Sequence, residues 1–106
     1  MAEPRFETSV RASFAFERAE GQGSIENASL GGVFVETPTI PERGDKIWLS
    51  FKGPVGEIVE AIGIVGWNTL QDDVAGGSRQ GFGLRLVASS GDYRRFLESL
   101  PRTSCM

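Results

Sequence analysis

The residues that could do chemistry in this chain are few, and their types narrow it at once. Histidine is absent, which removes the commonest general base and the commonest neutral metal ligand. A Ser-His-Asp or Cys-His centre is therefore impossible. The single cysteine, Cys105, can form neither an internal disulfide nor a zinc site alone. What remains is chemistry of recognition. Asn27-Ala28-Ser29-Leu30-Gly31-Gly32 gathers an amide, a hydroxyl and two glycines within six residues. Nine of the eleven basic residues are arginine, the side chain suited to planar, bidentate recognition of phosphate or guanine. Arg5 and Arg11 are among those that precede this segment.

The elements that must position these groups are read from periodicity. From Ser9 to Glu17, Val10, Ala12, Phe14 and Phe16 alternate with polar or small residues, the period of a half-buried strand. Glu20-Gly21-Gln22-Gly23 reads as a turn, and Asn27 to Gly32 as a loop. Val33 to Glu36 resumes strand character. Pro38 and Pro41 bracket a segment that can be neither helix nor central strand. Glu42-Arg43-Gly44-Asp45 turns the chain into a strand in which Ile47, Leu49 and Phe51 alternate with Trp48, Ser50 and Lys52. Trp48 and Trp67 read as packing residues, although Trp48 is out of phase with Ile47 and Leu49, which would put it on the surface. Gly53-Pro54-Val55-Gly56 is a second loop, before an apolar run from Ile58 to Trp67. Asn68 to Gln80 is a polar loop, and Gly81 to Val87 the last strand. Only the end is helical: Tyr93, Phe96, Leu97 and Leu100 fall on one stripe, Ser89 or Ser90 can cap its start, and Pro101 stops it. Five or six strands with regular turns point to an all-β barrel or sandwich.

Composition sets outer bounds. The length of 106 residues suits one domain, read as an N-terminal segment over 1–8, a barrel with its helix over 9–100 and a tail over 101–106. A net charge of −3 argues against an oligonucleotide-binding barrel, which needs a basic groove. No apolar run approaches the roughly 20 residues of a membrane-spanning helix, and the first residues lack the apolar centre of a secretory signal. These features predict a cytoplasmic protein.

The segment Asn27 to Gly32 resembles the PilZ loop, (Asp or Asn)-x-Ser-x-x-Gly, at Asn27, Ser29 and Gly32. Its surroundings agree in order: a strand with Phe14, then Gly32-Val33-Phe34-Val35 with Thr37, a Pro41 to Gly44 turn before Ile47-Trp48-Leu49, Gly63 to Trp67, and Gly81 to Leu86. The resemblance covers roughly residues 4 to 100. It implies a six-stranded antiparallel PilZ-type β-barrel with a short C-terminal α-helix, and cyclic di-GMP as ligand. In the family the loop meets guanine and ribose, while an Arg-x-x-x-Arg pair before the first strand supplies phosphate contacts and stacks on the bases. A short amide and a hydroxyl suit a guanine edge, glycine admits close backbone approach, and forked guanidinium groups answer phosphate.

The ligand-binding candidates carried over are Arg5, Arg11, Asn27, Ser29, Gly31 and Gly32. The arginine pair departs from the pattern. Arg5 matches its second member, but Met1 stands four residues earlier, and five residues separate Arg5 from Arg11 in place of three. One charge-assisted hydrogen bond is worth about 1.5 to 3 kcal/mol. Half a clamp thus predicts cyclic di-GMP binding weakened by about one to two decades or lost. The expected function is a non-enzymatic signalling adaptor of cyclic di-GMP pathways. A genuine receptor using Arg5 and the Asn27-Ser29-Gly32 loop is the alternative. No cofactor or metal is expected. Expected partners are proteins of bacterial motility, pilus, polarity, envelope or signalling machinery.

Overall fold

The computed structural model describes residues 6–70 and 80–100. Six strands follow in chain order: β1 (Phe6–Phe16), β2 (Ala19–Ala28), β3 (Gly32–Glu36), β4 (Lys46–Lys52), β5 (Ile58–Asn68) and β6 (Gly81–Ser89). One helix, α1 (Asp92–Glu98), ends the described chain. The strands close in the order β1-β2-β3-β6-β5-β4, with β4 returning to β1 and every neighbour antiparallel. This is the six-stranded barrel with a C-terminal helix that the PilZ resemblance implies.

Alternation builds the interior. Ala12 and Phe14 of β1, Ile47, Leu49 and Phe51 of β4, Val59, Ala61 and Val65 of β5, and Phe82 and Leu84 of β6 are all buried. Phe14 meets Phe82 edge-on at 5.1 Å. Helix α1 has only two turns and could not persist alone. It lays Tyr93, Phe96 and Leu97 on the core, and Phe96 packs edge-on against inward-facing Phe51 at 4.7 Å.

Four sequence expectations need correction. First, β1 starts at Phe6, not Ser9. The register between β1 and β2 slips between Glu7 and Val10, so one extra residue interrupts the alternation and hides the first turn of the strand from a period-two search. Second, Glu20 to Gly23 is no turn but part of β2; the reversal lies at Glu17-Arg18, between paired Phe16 and Ala19. Gly21 serves packing there, since a Cβ would stand 2.6 Å from the Phe14 ring. Third, Asn68 is not loop: it ends β5, is buried, and donates from Nδ2 to the Pro41 carbonyl at 2.8 Å. Fourth, neither Ser89 nor Ser90 caps α1. Gly91 holds the N-cap position without a side-chain bond, and the Ser90 hydroxyl instead accepts the Glu60 N–H at 3.3 Å. Arg5, most of the 68–80 segment, whose adjacent carboxylates Asp72-Asp73 read as solvated loop residues and not a cation site, and Cys105 lie outside the described residues.

Candidate functional site

The motif segment divides between two elements. Asn27 and Ala28 are the last residues of β2, and only Ser29, Leu30 and Gly31 form the connection to β3. A bulge decides which way Asn27 points. Ile25 pairs with Val35 and Asn27 with Phe34, so Glu26 is extra in β2. Ile25 and Ala28 both face the core, although they are three residues apart. Asn27 is thereby turned to the outer face.

Ser29 and the glycines face a different task. Ser29 is 3% exposed, and its N–H donates to the Gly32 carbonyl at 2.8 Å. Its hydroxyl lies 3.4 Å from the same oxygen. The buried Tyr93 hydroxyl of α1 donates to the Ser29 carbonyl in a short hydrogen bond. Gly31 accepts the Leu86 N–H of β6 at 2.9 Å. At Gly32, a Cβ would come within 2.7 Å of the Leu84 carbonyl, so β3 can approach β6 here only without a side chain. Ser29, Gly31 and Gly32 thus tie the β2–β3 connection to both the last strand and the helix.

Register carries the outer face around the barrel from Asn27. Glu7 pairs with Asn27, Asn27 with Phe34, Phe34 with Gly83, and Gly83 with Trp67. Phe34 and Trp67 stack across Gly83 at 5.3 Å, with planes 9° apart. A half-buried aromatic plate therefore flanks Asn27. Arg85 is exposed and pairs with Gly32, which adds a cation beside the motif.

Arg11 is brought to the same side of the molecule but not to the same row. It is exposed and pairs with Ser24 on β2. Between that row and Asn27 stands the bulged Glu26. Its carboxylate accepts from the Ser24 hydroxyl at 2.5 Å and from Ser9 at 3.5 Å. Glu36 also pairs with Ser24, and Glu7 pairs with Asn27. Among the described residues, the strand positions around Asn27 thus set three carboxylates against Arg11 and Arg85. A phosphate brought here would meet repulsion as well as attraction.

Sequence reasoning missed Phe34, Trp67, Arg85, Glu26 and Tyr93 as neighbours of the motif. The outward phase of Phe34, between buried Val33 and Val35, was legible. Its neighbours Gly83 and Trp67 were not, because they come from β6 and β5, and neither was Tyr93 beside Ser29, which comes from α1.

A closed six-stranded barrel, sealed by a helix whose tyrosine grips a (Asn)-x-Ser-x-x-Gly connection, defines a class of small recognition module. The family model for the PilZ domain matches residues 1–100, and the chain belongs to the PilZ domain family. It is a PilZ protein of cyclic di-GMP signalling, in a family of binding and adaptor modules. Among solved structures, the Bacillus subtilis inhibitor of motility, MotI/DgrA, matches with a TM-score of 0.73 and 16% identity, covering 92% of this chain. That match takes in 48% of the other chain, so the present chain spans about half its length. No curated protein matches the sequence. Among the described residues, no helix is long and apolar enough to cross a membrane.

Proposed function

We propose that this protein is a protein-interaction adaptor built on a PilZ barrel whose nucleotide binding is weak or lost. One observation carries the reading: Ser29, the central motif residue, is turned inward, and its carbonyl is spent on Tyr93 of the barrel's own helix. A buried hydroxyl has no free path to ribose or guanine. The motif is then retained for the geometry it imposes on β2, β3 and α1. The carboxylates of Glu7, Glu26 and Glu36 add to this, because cyclic di-GMP brings two phosphates. With no output element of its own among the described residues, the barrel passes a signal on through its surface. MotI/DgrA is named an inhibitor of motility. A partner in bacterial motility, pilus or signalling machinery fits that fold relative.

A second reading, a true cyclic di-GMP receptor, has its own support. Asn27 lies on the outer face beside the Phe34–Trp67 plate, and Arg85 stands next to Gly32. An amide, an aromatic surface and a cation together suit a purine nucleotide. Arg5 would complete the phosphate contacts.

Titration calorimetry with cyclic di-GMP separates the two, using Asn27→Ala and Arg5→Ala as controls. The adaptor reading expects no saturable heat below roughly 100 μM ligand, a threshold of about −5.5 kcal/mol. Micromolar binding that both substitutions abolish would establish the receptor instead.

A further inference from the structure

Away from Asn27, the outer wall of the barrel holds a groove of about 720 Å³. Register lays its floor. Ala15 of β1 pairs with Trp48 of β4, Trp48 with Ile62 of β5, and Ile62 with Ala88 of β6. These four outward positions form one apolar row across four strands, with Glu20 of β2 opposite Ala15. Outward positions on a barrel in water are ordinarily polar. Trp48 is 49% exposed, and Lys46 Nζ stands 5.2 Å from its ring centre. An apolar row containing tryptophan, kept at the surface in a chain of ordinary polarity, marks a contact surface.

The geometry also limits what can sit there. Over Ala15, Trp48 and Ile62 the strands β1, β4 and β5 are each paired on both sides, so a partner strand could add only beyond the ends of this floor. An occupant lying on this floor has to bind through side chains, as a helix laid in a groove does. Ala15 and Ala88 leave room at the floor, while Trp48 and Ile62 supply a wall for large apolar side chains. Two exposed carboxylates, Glu20 and Glu60, line the groove, against the one ammonium of Lys46 over the Trp48 ring. Charge complementarity therefore asks for lysine or arginine flanking the apolar face of the occupant.

We propose that this groove is the docking site for a basic amphipathic helix of a partner protein. The inference rests on the adaptor reading and supplies its missing surface. The test uses the ¹⁵N-labelled full chain and two synthetic helical peptides with the same leucine face, one lysine-rich and one glutamate-rich on the polar face. The lysine-rich peptide is expected to shift the amides of Ala15, Trp48 and Ile62 with a Kd of roughly 10 to 100 μM, and the glutamate-rich one to leave them unmoved. Trp48→Ala should weaken binding at least about tenfold without lowering the melting temperature, as expected of a surface hot spot. Glu20→Lys with Glu60→Lys should reverse the preference between the peptides, which holds the test open if Trp48→Ala misfolds. Absence of shifts, equal binding of both peptides, or shifts mapping to another face would each overturn the proposal. So would a concentration-dependent dimer abolished by Trp48→Ala, because a second copy would then fill the groove. Cyclic di-GMP binding in the calorimeter would refute the adaptor reading while leaving the peptide result intact, so the two failures are distinguishable.

Discussion

Tyr93→Phe removes one oxygen atom from the place where helix, motif and barrel meet. The Tyr93 side chain is 1% exposed, and its hydroxyl is the donor that α1 offers to the Ser29 carbonyl. The phenylalanine ring fills the same space, so apolar burial against Phe96 hardly changes. What is lost is a buried hydrogen bond whose acceptor stays behind, away from water, at a cost of about 1 to 3 kcal/mol. For a domain of this size that corresponds to a melting temperature lower by roughly 5 to 15 °C. Urea unfolding should show a lower midpoint with an unchanged slope, because the surface exposed on unfolding is the same. Hydrogen exchange adds the local signature. The amides of Ser29 and Leu86, which bond to Gly32 and Gly31, should exchange faster than their counterparts in β4 and β5. A stability change below about 0.5 kcal/mol with unaltered exchange would refute the claim that the helix fastens the motif.

Three further outcomes follow from the same geometry. Gly32→Ala should destabilise the protein by about 1 to 3 kcal/mol whether or not cyclic di-GMP is present, since its Cβ would meet the Leu84 carbonyl at 2.7 Å; chemical denaturation with and without ligand checks this, and a neutral result would return Gly32 to a purely ligand-facing role. Gly83→Ala would place a Cβ 2.1 Å from Trp67 Nε1 and push the indole off Phe34, at a cost of about 1 to 3 kcal/mol. In a Trp48→Phe background the emission of Trp67 should then shift to the red; an unchanged spectrum would count against the plate. Glu26→Gln removes one carboxylate beside Asn27 and should raise the association constant for cyclic di-GMP about two- to fivefold at low salt, an effect of roughly 0.5 to 1 kcal/mol. That gain should fade as salt is added, and its absence would mean that Glu26 does not oppose the phosphates.

How much could be read beforehand differs from element to element. The alternation at Ile47, Leu49 and Phe51 marked β4, because period two follows from the backbone pleat and needs no partner strand; Trp48, expected as a packing residue, obeys that phase instead and is half exposed. The stripe of Tyr93, Phe96 and Leu97 marked α1 for the same kind of local reason. The ordered run of weak motifs was enough to place the chain among PilZ domains. Glycine misled where a turn and a close approach look alike in sequence. Gly21 and Gly23 read as a turn, yet they lie within a strand because Phe14 and the Glu36 carbonyl occupy the space a Cβ would need.

The sequence alone determined the class of fold, the core faces of the strands and the absence of histidine-based catalysis, all of them properties of residue type and spacing. Tertiary structure alone decided what the motif residues touch. The bulge at Glu26 turns Asn27 outward, the approach of β6 requires Gly32, and α1 claims the Ser29 carbonyl. Each of these depends on which strand lies beside which, and in what register. Nothing in the local pattern of Asn27 to Gly32 encodes that, because the partners, from Phe34 to Tyr93, are set by closure of the barrel.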